Sequence, residues 1–174
     1  MNRLTYAFPA ACLAFAGATA WAQAAAPNDA QIAGIVVEAN TVDINAGELA
    51  RTSSKNPQVS DFAQRMVTDH SGVNKQATAL VQKLKVTPEA SDTSKALKDA
   101  GAANIAKLKG LKGTAFDKAY VDNEVTYHQT VLDAIDKTLI PSAKNAELKG
   151  LLEKVRPAID AHLQHAKQIQ ASMN

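Results

Sequence analysis

The stretch VSDFAQRMVTDHSGVNKQATALVQKL, Val59 to Leu84, decides the fold class. Ala63, Met66, Val73, Ala77, Leu80 and Leu84 recur at the three- and four-residue steps of one helix face. His70 fills the single gap in that stripe, so its ring is expected to point inward, with Asp69 beside it. This is a long helix with a titratable ring at mid-height in its buried face.

Working outward, Asn56-Pro57 starts this helix. Asn56 can cap it, and Pro57 suits a first helical position because its missing N–H would be unpaired there anyway. The preceding helix is expected from an N-cap at Asp29 to about Ser54, on a stripe of Ile32, Ile35, Ala39, Val42, Ala46 and Leu49. A link this short forces an antiparallel hairpin. Beyond Thr87-Pro88, a shorter alanine-rich helix capped by Ser91 or Ser94 runs to about Leu108, closed by Gly110 and Gly113. A capping box, Thr114-x-x-Asp117, opens a third long helix that ends near Leu139, before Pro141. Ser142 is expected to cap the last one, on a stripe of Leu148, Leu152, Val155, Ile159, His162, Ala166 and Ile169, with Pro157 inside it.

This pattern predicts an all-α protein: a ferritin-like four-helix bundle with a short extra helix in the long crossover between its second and third long helices. Residues 86 to 113 are too many for a hairpin loop and enough to run the length of a bundle. An up-down-up-down bundle with a decorated loop is the alternative.

Residues 1–22 are set apart as a signal peptide: Arg3, then an apolar run, then Ala20-Trp21-Ala22 as a small-x-small cleavage site. An uncleaved anchor and a lipid-bearing Cys12 are the competing readings. The bundle domain is expected over 29–172, in the periplasm, with outer-membrane association as an option and no transmembrane segment once the signal is removed. Cys12 is the only cysteine, so the mature chain cannot form a disulfide and must rely on its core. Lys and Arg number 19 against 17 Asp and Glu, which leaves no electrostatic footprint for nucleic acid. The weakly apolar crossover suggests a monomer or modest homodimer, with an envelope protein as the other kind of partner.

The chemistry lies in polar residues on buried stripes. His70, His128 and His162 occupy core positions on three helices, and Glu124 shares a face with His128. Imidazoles and carboxylates pointing into a helical core are a metal donor set suited to iron, manganese or zinc. The alternative is a structural network in which the same groups satisfy one another. The chain has no Glu-x-x-His, which argues against the usual dinuclear carboxylate site. A rise of about 1.5 Å per residue puts His70 and His128 level, with Asp43 near the same height. Folding the last helix back at residues 141 and 142 sets His162 opposite Val121, on the order of 10 Å too high, unless that hairpin slips. The candidate ligands are therefore His70, His128, His162, Glu124, Asp69 and Asp43. No Cys-x-x-Cys-His for haem, Gly-x-Ser-x-Gly, phosphate loop or His-Glu-x-x-His occurs, so conventional hydrolysis has no constellation behind it.

Several blocks resemble a family of exported bacterial proteins, domain of unknown function 4142. They are Gly47-x-Leu49-Ala50; Asn56-Pro57-x-Val59-x-x-Phe62-Ala63-x-x-Met66-x-x-Asp69-His70; Phe116-Asp117-x-x-Tyr120 followed by His128; and Pro157-x-x-x-x-His162. The resemblance spans about Asp29 to Ala171. It implies a ferritin-like fold and export, with members labelled membrane or outer-membrane proteins, and brings no settled activity.

Overall fold

The computed structural model describes residues 26–173 and is all-α over them. The proposed signal peptide lies outside the described residues. Helix α1 spans Asp29–Ser53, α2 Pro57–Leu84, α3 Asp92–Lys109, α4 Gly113–Ala134, α5 Ile140–Ser142 and α6 Ala146–Ser172, with a π-helical turn, Ile135–Leu139, joining α4 to α5.

Local chemistry accounts for most of the ends. Asn56 caps α2 through its side chain, with Pro57 in the first turn. Ser91 and Ser94 form a reciprocal capping box on α3. Three expected caps are corrected. Asn28, paired with Gln31, caps α1, while the Asp29 carboxylate accepts from the Lys144 and Asn145 backbone N–H groups. Asn145, not Ser142, caps α6. No side chain caps α4 at all, and Asp117 is buried instead.

The core is two apolar clusters separated along the helix axes. One gathers Ile32, Val36, Ala77, Leu132, Leu139, Leu148 and Leu152 among others. The other gathers Ala46, Ala50, Val59, Met66, Phe116, Val121, Ala166 and Ile169. Each of α1, α2, α4 and α6 contributes to both, and the order of its residues gives its direction. Helices α1 and α6 run from the first cluster toward the second, while α2 and α4 run the opposite way. Leu97 of α3 belongs to the first cluster and Leu108 to the second, so α3 returns along the molecule between α2 and α4, packed against α1. The closest helix pairings are α1 with α2 and α4 with α6.

Packing against α3 corrects the expected stripe of α1. Ala39, Val42 and Leu49 are only half buried, and Val42 meets Gly101 of α3. The face turned to the main core is Ile32, Val36, Asn40, Asp43, Ala46 and Ala50. Helix α1 thus has two partners and two buried faces. At Gly34 a side chain would collide with the Glu89 carbonyl, because the α2–α3 connection lies directly on α1, tied by Glu89 N–H to the Ala30 carbonyl at 2.9 Å. Among the described residues no helix is long and apolar enough to cross a membrane.

Candidate metal centre

Between the two apolar clusters lies a layer of buried polar residues: Asn40 and Asp43 from α1, His70 from α2, Glu124 and His128 from α4, and His162 from α6. All but His162 stand where their helix passes from one cluster to the other; His162 lies between Ile159 and Leu163 of the first cluster, one turn before Ala166 of the second. Asp43, Glu124, His128 and His162 are each 1% exposed.

The three rings form a nearly even triangle. Their centroids are 5.7 Å apart for His70 and His128, 5.3 Å for His70 and His162, and 5.5 Å for His128 and His162. One ring nitrogen from each lies within 4.8 Å of the other two, and Asp43, Glu124 and His128 converge in the same way. His162 therefore belongs to the cluster, contrary to the height expected for it. The error lay in the turn. The helical path continues through Pro141 to Ser142, so the chain reverses at Ala143–Asn145, and folding about Lys144 sets His162 opposite Thr126, within a turn of His128.

Hydrogen bonding fixes which nitrogen of each ring carries the proton in its neutral form. Asn40 donates its Nδ2 to the Val36 carbonyl at 2.7 Å, which identifies Oδ1 as the atom facing His70 Nδ1, also at 2.7 Å. His70 must then carry a proton on Nδ1. His128 Nδ1 donates to the Glu124 carbonyl at 3.0 Å. His162 Nε2 donates to the Asp69 carboxylate at 2.9 Å. Every ring is thus anchored through one nitrogen, which leaves the other as a lone pair in the neutral form.

Those second nitrogens, His70 Nε2, His128 Nε2 and His162 Nδ1, are buried and make no hydrogen bond. Two of them face the same acceptor: Asp43 Oδ2 lies 2.9 Å from His70 Nε2 and 3.3 Å from His128 Nε2, at ion-pair distance but out of line for a hydrogen bond. Lone pairs set against a carboxylate oxygen repel unless a proton or another cation stands between them. Glu124 Oε2 is also without a hydrogen bond, 3.4 Å from His128 Nδ1.

The electrostatics follow from burial and this crowding. Burial opposes charge on His128, but the Asp43 and Glu124 carboxylates outweigh it and raise the ring to about 9. Burial, reinforced by the charge of Asp43, raises Glu124 to about 8. Burial also works against an ionised Asp43, yet His70 and His128 hold its carboxyl below the usual range. His162 is lowered to about 4 by burial and by the two neighbouring rings, against the pull of Asp69, so it is neutral near pH 7.

Of the expected ligands, His70, His128, His162, Asp43 and Glu124 come together. Asp69 does not join their convergent atoms. Its side chain is 40% exposed, bonded to His162 and to Arg65 at 3.3 Å. The fourth histidine, His165, packs edge-on against Phe62 in the second apolar cluster. Asn40 was not anticipated. Its signal was present in the spacing Val36, Asn40, Asp43, which steps by four and three along the face of α1 turned to the core.

Neither a curated protein nor a solved structure matches the chain. A family model, described as a domain of unknown function, DUF4142, matches residues 14–169. The chain, with its buried histidine and carboxylate cluster, belongs to that family.

Proposed function

We propose that the protein binds a single divalent transition-metal ion through His70, His128, His162 and Asp43. The observation that carries the reading is the set of three rings, each anchored at its outer nitrogen and each with a buried, unpartnered inner nitrogen. Metal-bound histidines are arranged this way, with the far ring nitrogen hydrogen-bonded so that tautomer and aim are fixed. The size fits as well. Three imidazoles on a tetrahedral ion, with metal–nitrogen bonds of about 2.0–2.1 Å, hold their ring centroids about 5 Å apart. The observed separations are 5.3 to 5.7 Å. The donors suit zinc, iron or manganese. Only one ion is proposed, because the two convergent groups share His128 and its Nδ1 is engaged by the Glu124 carbonyl. Asp69 acts as the outer partner of His162, and Glu124 as a neighbouring carboxyl that shifts toward the ion or toward His128.

The order and directions of α1, α2, α4 and α6, with α3 as the crossover, support a ferritin-like four-helix bundle over residues 29–172. The N-terminal pattern supports removal of residues 1–22 as a signal and a periplasmic location, with the bundle at work as a monomer or modest dimer.

A second reading has its own observation. His70 and His128 face Asp43, and a proton on each inner nitrogen would turn repulsion into ion pairs, making the layer a structural network in a non-enzymatic envelope interaction module. Protons on His70 and His128 alone leave the Nδ1 lone pair of the neutral His162 without a donor, which favours the metal.

Elemental analysis after loading with Zn(II), Fe(II) or Mn(II) decides between the two. About one ion per chain is expected for at least one metal, lost with His128→Ala. Less than about 0.2 per chain for all three metals would leave the structural network.

A further inference from the structure

Away from the polar layer, the ends of α1 and α3 meet the start of α4 around a second opening. A cleft of about 520 Å³ lies there, within the range of small-molecule sites. The half-buried Leu49 and Leu111 give it an apolar wall, backed by Leu108 and Phe116 of the second cluster. The exposed Lys55, Lys109 and Lys112 stand around it, and none of the three has an ion-pair partner among the described residues. Asp117 lines the same cleft, yet it is only 7% exposed, and its Oδ1 is buried with no hydrogen bond. A buried carboxylate without a partner is costly, so Asp117 calls for a donor that the chain does not supply. One turn earlier α4 begins. No side chain caps it, so the N–H groups of its first turn are unmet. Gly113 leaves this end open, with nothing within 4 Å of where a side chain would start. The helix start and the lysines together make a positive pole, one helical turn or about 6 Å along the axis from Asp117.

A simple anion would meet the lysines and the helix start but be opposed by Asp117. A simple cation has the reverse fault. A molecule with both charges close together and an apolar side chain satisfies all three parts of the cleft. We propose that the cleft binds an apolar α-amino acid. Its ammonium group sits on Asp117, its carboxylate lies at the start of α4 beside Lys109 and Lys112, and its side chain lies against Leu49 and Leu111. The site uses no residue of the histidine and carboxylate layer, so it stands or falls independently of the metal reading.

L-leucine is the probe. It is titrated into isotope-labelled full-length chain, and backbone amide resonances are followed. Saturable shifts are expected at Gly113, Thr114 and Asp117. Leucinamide lacks the carboxylate and 4-methylpentanoate lacks the ammonium, so each should bind more weakly by about tenfold or more, with one charged partner left unmet. Asp117→Asn should abolish the preference for leucine over 4-methylpentanoate. Lys109→Gln combined with Lys112→Gln alters only exposed side chains; it should weaken leucine binding by a similar factor, and it serves if Asp117→Asn does not fold. Shifts that rise linearly with leucine overturn the proposal. So does either analogue binding as tightly as leucine, an Asp117→Asn variant that keeps the full preference, or a lysine variant that binds leucine as before.

Discussion

At the scale of single residues, the layer is a set of groups whose ordinary partners are missing. Asp43 supplies one oxygen to two rings, and His162 keeps a bare nitrogen in the core. Asp69→Asn keeps the shape of its side chain but weakens the acceptor on His162. Metal affinity should fall by roughly 10- to 100-fold by isothermal titration, with little change in metal-free melting, since Asp69 lies at the surface. The same residues set a pH dependence. His128, at about 9, and Glu124, at about 8, hold their protons more tightly in the folded chain than in the unfolded one. The stability they confer is complete below their unfolded values and is lost as pH rises through the folded ones. His162, lowered to about 4, acts oppositely and removes stability as pH falls below 6.5. Metal-free protein should therefore melt lower at about pH 9.5 than at about pH 7, whereas metal affinity should increase over that range because the ligands must shed protons. Calorimetry with and without ion checks both signs.

At the scale of elements, closeness of approach sets the sensitive positions. Gly34→Ala should cost about 1–3 kcal/mol in urea unfolding, because the backbone at Glu89 would have to retreat from α1. Gly150, which has open space around it, is the control: Gly150→Ala should be neutral or stabilising by up to about 1 kcal/mol. Elements were also where reading the chain worked best and failed most usefully. The long helices and the Asn56-Pro57 break were legible because three- and four-residue spacing and cap chemistry are local. The true face of α1 was not, since Val42 and Leu49 are apolar for the sake of α3, a partner that local spacing does not reveal. His162 was misplaced because a π-helical turn at Ile135–Leu139 and a helical path through Pro141 move the reversal point, and neither has a local signature in these residues. Asp136 in that turn is gripped by Arg156 of α6 through two bonds of 2.6 Å, a contact between elements that fixes the register only once both exist.

For the whole molecule, the arrangement is two dry cores joined through a wet-chemistry layer. An ion that binds only the folded chain adds stability as its concentration exceeds the dissociation constant, by about 2.7 kcal/mol at a hundredfold excess. For a chain of this size that corresponds to roughly 5–11 °C in melting temperature. Scanning calorimetry with zinc should show the gain, chelator should reverse it, and His128→Ala should show neither. If melting is indifferent to every metal tried, the two cores are joined by protons alone.

The depth of the layer has a kinetic corollary. On the metal reading, donors that are already oriented need no search once an ion arrives, so transit through the protein wall, rather than ligand rearrangement, would set the pace of uptake and release. His162 is the ring whose outer tether reaches solvent, through Asp69, and on that reading it would be the hatch. Loosening that tether should accelerate exchange in both directions, as timed by a chromogenic chelator competing for the ion.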